Sequence, residues 1–90
     1  MSVYAVNKLC YRVVREPELR RALREGPADA LRAARPALSA EEVEALLAGD
    51  VGYLSKLGCN HFLLHQLGRF RLLGLDLPTY AERIRTAYRH

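Results

Sequence analysis

Ser39-Ala40-Glu41-Glu42-Val43-Glu44-Ala45-Leu46-Leu47-Ala48-Gly49-Asp50 is the stretch on which the reading of the fold turns. A serine followed three residues later by a glutamate, ahead of apolar positions at helical spacing, is a capping box. The Ser39 hydroxyl and the Glu42 carboxylate each satisfy a backbone N–H that a first helical turn leaves without a partner. Leu38 is placed to staple onto Val43. Val43, Leu46 and Leu47 make the expected buried side, and Gly49 is the stop. Asp50 then caps a short helix carrying Val51, Leu54 and Leu57, which Gly58 terminates.

The same logic extends in both directions. Upstream, Val6, Leu9, Cys10 and Val13 follow the i, i+3, i+4, i+7 spacing and predict an amphipathic helix over about Val3–Arg15. Pro17 opens a second helix, with Leu19, Ala22 and Leu23 turned inward and Gly26 closing it. Pro27 permits a short turn through Ala30, Leu31 and Ala34, and Pro36 stops it, because the residue before a proline disfavours helix. Downstream, Asn60 is placed to cap the longest apolar segment, His61 to Leu73, with Phe62, Leu63, Leu67 and Phe70 on its buried side and Gly74 at its end. Leu77-Pro78-Thr79 starts a last helix to Tyr88, with Ala81, Ile84 and Tyr88 as its apolar stripe. Only nine residues are β-branched, and no stretch alternates apolar and polar for long. The expectation is a single all-α domain over residues 1–90, a compact orthogonal bundle of five to seven short helices.

Composition bounds the function. Of 90 residues, half are apolar and 27% are charged, too hydrophobic for disorder and too interrupted for a membrane span of ~20 residues. Asn7, Lys8 and Arg12 break up any secretory signal after Met1, and two cysteines are too few for a disulfide framework, which together predict a cytoplasmic protein. Twelve of the fourteen cations are arginines, and the net charge is +4. The charges are interleaved (Glu16, Glu18 and Glu25 among Arg15, Arg20, Arg21 and Arg24), the pattern of a solvated helix face more than of a nucleic-acid patch.

Candidate chemistry is sparse. Cys59, His61 and His65 form the one cluster with metal-ligand character, since residues four apart on a helix share a face. No Asp or Glu lies nearby, however, and a third or fourth ligand would have to come from remote Cys10 or His90. Solvent-facing or capping histidines are the simpler reading. Cys59, at a helix start beside His61, could be a thiol with a lowered pKa, against the commoner reading of a buried cysteine. No Gly-x-Ser-x-Gly elbow and no phosphate loop occurs, and of the three serines, Ser2, Ser39 and Ser55, the first is terminal and the second is a cap. A recognition helix using His61, His65, Gln66, Arg69 and Arg71 is weakened by its arginines lying at the wrong end and by Leu63, Leu64 and Leu67. No catalytic, cofactor or metal residue is assigned to this chain.

The run Leu38 to Asp50, with Tyr53-Leu54 and Leu57-Gly58-Cys59-Asn60-His61-Phe62-Leu63-Leu64, resembles the small, LigA-type subunit of protocatechuate 4,5-dioxygenase and related extradiol dioxygenases. Val6-Asn7-Lys8-Leu9-Cys10-Tyr11 and Pro17 to Arg24 are similar to the opening of that family, so the resemblance spans roughly residues 3–70. It implies a non-catalytic helical subunit that docks on a larger one. In the family the larger subunit holds Fe(II) with two histidines and a carboxylate and opens catechol-type rings with O₂. The small subunit acts as lid and specificity element and meets the aromatic substrate only at the shared interface. By position, Gly58, Cys59, Asn60 and Phe62 would face that mouth, Asn60 as cap or as polar contact. The alternative is a stand-alone helical interaction module, a homodimer, that keeps the fold without the activity.

An interface is also suggested by what the core cannot hold. Tyr4, Tyr11, Tyr53, Tyr80 and Tyr88, with Leu63, Leu64, Leu72, Leu73, Leu75 and Leu77 crowded together, exceed what one face of so thin a layer buries.

Overall fold

The computed structural model describes residues 3–88. Ser2 and the remote ligand position His90 lie outside them. Seven helices follow one another: α1 (Val3–Arg15), α2 (Pro17–Glu25), α3 (Pro27–Ala33), α4 (Ala40–Ala48), α5 (Val51–Lys56), α6 (His61–Arg69) and α7 (Leu77–Ala87), with no strand among the described residues. The fold is an all-α bundle, as the spacing predicts. None of these helices is long and apolar enough to cross a membrane.

The boundaries come from local chemistry. The capping box forms in full: the Glu42 N–H donates to Ser39 Oγ at 3.1 Å, and the Ser39 N–H donates to Glu42 Oε1 at 2.8 Å. Gly49 ends α4 in the left-handed conformation (φ 66°). Asp50, Asn60 and Asp76 each accept from the backbone N–H three residues on, starting α5, α6 and α7. The Asp76 cap went unnoticed in the sequence because Pro78 already accounted for the helix start.

α1 packs along α6 and α5 along α7 most extensively, and α6 joins the two pairs by lying against α7. One core runs through these contacts, with Val6, Cys10 and Val13 from α1, Leu46 from α4, Leu54 from α5 and Leu64 and Leu67 from α6 almost fully buried. Two glycines set the closest approaches. A Cβ at Gly52 would stand 2.6 Å from the Ala87 Cβ, and one at Gly68 would stand 3.0 Å from the Asp76 carbonyl oxygen. Both therefore belong to helix packing against α7 and not to turns.

The structure corrects the expected α6. The helix ends at Arg69, not Leu73, and the chain then reverses with Arg71 and Leu73 at φ of 56° and 57°. The Leu72 N–H reaches back to the Leu67 carbonyl at 2.9 Å, closing the turn. Each positive-φ residue costs about 1–2 kcal/mol. Burying Leu72 and Leu75 to 1% and 3% exposure returns roughly 1.5–3 kcal/mol each, enough to offset it. A further set of expected inward positions points out: Ala22, Leu47, Leu57, Phe62, Ala81 and Tyr88 are exposed. On α6 the buried stripe is Leu64, Leu67 and Gly68, and on α7 the buried aromatic is Tyr80.

Candidate partner-docking face

The turn between α5 and α6 separates the four contact residues expected from the sequence. Gly58 is exposed with φ 109°, Asn60 is exposed, and Phe62 is 74% exposed. Cys59 turns the other way and is buried at 3%. Asn60 is held twice: its side chain caps α6, and its backbone N–H donates to Asn7 Oδ1 of α1 at 2.9 Å. Asn7 is thus a positioning residue for the turn, linked across 53 residues of sequence that no local pattern connects.

Cys59, His61 and His65 do not assemble into a group able to hold a metal, and no cluster of three or more His, Cys, Asp or Glu of that kind occurs among the described residues. His61 Nε2 is hydrogen-bonded to Ser55 Oγ, and the same hydroxyl bonds Tyr88 OH at 2.7 Å. The Tyr80 hydroxyl donates to the His61 carbonyl at 3.0 Å, and His65 meets the Tyr80 ring edge-on at 5.4 Å. Ser55, to which no sequence motif assigns a role, is buried and satisfied by two partners, and it ties α5 to the start of α6 and the end of α7. The sequence signal was available in its position on the inner side of a capped helix.

The reading of Cys59 as an activated thiol is overturned. Burial, with a smaller contribution from the Glu42 carboxylate, pushes its pKa up to about 11. Cys10 is pushed up to about 12, by burial and then by Cys59. Both thiols are held in the protonated form, the opposite of what nucleophilic chemistry requires.

The apolar surplus is aromatic more than aliphatic. Leu64, Leu72 and Leu75 are consumed by the core, whereas Tyr4, Tyr11, Tyr53 and Tyr88 remain exposed. Tyr11 and Val14 on α1 and Phe62 and Leu63 on α6 line one groove, bounded by Arg15 and Arg69. Its volume is about 270 Å³. Glu41, Glu44, Asp50 and Tyr53 line a second, acidic groove along α4 and α5.

Residues 6–82 match the family model described as "Aromatic-ring-opening dioxygenase LigAB, LigA subunit". No curated protein and no solved structure matches the chain. The match covers every helix from α2 to α6, most of α1 and the first part of α7, and with them both walls of the aromatic groove. The chain belongs to the LigA-subunit family of aromatic-ring-opening dioxygenases.

Proposed function

We propose that this chain is the non-catalytic small subunit of an extradiol dioxygenase, seated as a lid and specificity element over the active-site mouth of a larger subunit. The observation that carries the reading is Phe62. A phenylalanine 74% exposed at the start of a well-packed helix has no role in its own fold and the character of an interface anchor. Gly58 and Asn60 present backbone and amide groups beside it, so an aromatic substrate would meet this chain only where the two subunits join. Cys59 supports the turn from inside. The Fe(II) belongs to the larger subunit in this reading, and among the described residues of this chain no two-histidine, one-carboxylate set comes together. The family match and the exposed aromatic edge support the assignment together.

Purified alone, the chain is expected to bind no stoichiometric iron and to leave protocatechuate intact. Mixed with its cognate larger subunit, it should raise ring opening and change the preference among catechol-type substrates. Unchanged activity of the larger subunit on addition of this chain would overturn the reading.

A further inference from the structure

We propose that the groove between α1 and α6 seats an acidic, apolar-centred segment of the larger subunit: one or two apolar side chains enter the groove while flanking carboxylates pair with Arg15 and Arg69. That the partner is the larger subunit rests on the function proposed above; the chemistry of the groove does not.

The charge distribution carries the inference. All ten carboxylates of the chain lie in residues 16–50 and 76–82. α1 and α6, which form the most extensive helix pair together with α5 and α7, carry Lys8, Arg12, Arg15 and Arg69 and no carboxylate. Among the described residues, Arg12 alone of these four has an ion-pair partner, Glu16 at 2.8 Å. Arg15 donates to the Tyr11 hydroxyl, at 3.2 Å, and lies over that ring. Arg69 donates to Gln66 Oε1, at 3.4 Å, and lies over Phe70. Lys8 Nζ also lies over the Tyr11 ring, 5.5 Å from its centre. A guanidinium stacked on an aromatic ring keeps N–H donors free for a bidentate carboxylate.

Groove size selects the kind of occupant. A volume of about 270 Å³ falls just under the ~300 Å³ at which small-molecule sites begin, and it suits side chains inserted from a partner surface. Tyr, Phe and Arg around a small apolar centre is also the composition of protein interface hot spots. A cationic rim would steer an acidic partner and reject a basic one.

Two synthetic helical peptides test this, identical in a leucine stripe but flanked by glutamates in one and lysines in the other. They are titrated into the ¹⁵N-labelled full chain and followed by amide shifts. The glutamate peptide is expected to move amides of Tyr11–Arg15 and Phe62–Arg69, and the lysine peptide to leave them in place. Arg15→Glu combined with Arg69→Glu should weaken the glutamate peptide at least ~10-fold, as should raising salt from about 50 to about 500 mM. Equal response to both peptides, or shifts confined to the α4–α5 groove, would overturn the proposal. So would concentration-dependent shifts of both grooves without peptide, which would make a second copy the occupant. Ring opening with the larger subunit separates this from the assigned function. Activation by the wild-type chain that persists in the double variant sinks the groove and leaves the function standing. Selective peptide binding without activation does the reverse, upholding the groove chemistry while removing the larger subunit as its occupant.

Discussion

Two faces of this molecule carry charge, and they use it differently. Along α4 and α5, residues 40–56 hold four carboxylates and one cation. Two of those carboxylates are occupied at home: Glu42 closes the capping box on Ser39, and Asp50 caps α5. Along α1 and α6, Arg15 and Arg69 terminate no helix of another element and meet no carboxylate among the described residues. Other arginines do have such work. Arg83 donates to the carbonyls of Ala48 and Gly49, Arg20 to Val13, and Arg24 to Phe70, each completing a chain end or turn. Charge with a task inside the fold reads as structure; charge set beside exposed aromatics without one reads as interface.

The largest effect should separate two neighbours on α6. Leu64 is fully buried beneath the groove and Phe62 stands 74% exposed at its edge. Leu64→Ala should cost about 2–5 kcal/mol of unfolding free energy, as cavity-forming core substitutions do. Phe62→Ala should stay within about 0.5 kcal/mol of wild type while reducing activation of the larger subunit. Chemical denaturation and a coupled ring-opening assay read the two properties independently. A Phe62→Ala loss comparable to that of Leu64→Ala would place the ring in the fold and not at an interface.

The inner side of the α1–α6 layer differs from its outer side in protonation. Cys10 and Cys59 lie inside with pKa values pushed up to about 12 and about 11, against an ordinary thiol value near 9. Burial also raises Tyr80. Between pH 9 and 11 the unfolded thiols release protons that the folded ones keep, so the folded state binds more protons and stability falls as pH rises. The slope should be roughly 1–2 kcal/mol per pH unit, present in wild type and reduced in Cys59→Ala. Urea unfolding midpoints across that range measure it. A flat profile, or rapid alkylation of Cys59 at neutral pH, would contradict a thiol sealed inside.

The capping residues sharpen the acidic side of the comparison. Ser39→Ala and Asp50→Ala should each cost about 1 kcal/mol, the usual loss when a backbone N–H at a helix start is left to water. Thermal unfolding resolves that in a chain this small, where 1 kcal/mol moves the midpoint by about 4–8 °C.

Legibility followed the same division. Helix starts were readable because a cap and its target are three residues apart, and the Ser39, Asp50 and Asn60 caps all formed as spaced. Helix faces were less so. Phe62 is apolar and adjacent to Leu63, yet α6 is rotated so that Leu64, Leu67 and Gly68 face inward; that rotation is decided by α1 and α7, through the tight approach at Gly68. The end of α6 draws on distant packing as well, since the turn that puts Arg71 and Leu73 in the left-handed region delivers Leu72 and Leu75 to the core. Of the four expected contact residues, Gly58, Asn60 and Phe62 are exposed and Cys59 is buried. Arg15, Tyr11 and Arg69 were not singled out as a groove, because a groove is made by two helices whose residues are about 50 apart in the chain.

The smallest effect is the most discriminating. Arg15→Gln and Arg69→Gln remove charge from exposed positions whose hydrogen bonds are long and local, so each should change stability by no more than about 0.5 kcal/mol. Each lies in the last turn of its helix, where a cation favours the helix dipole, so the change is expected to be a small loss. The same substitutions should weaken association with the larger subunit and flatten its salt dependence, since the pairs they would form exist only across the interface. A charge that costs little to lose in the free chain and more to lose in the complex is being held for the partner; equal loss in both would return Arg15 and Arg69 to the ordinary solvated surface.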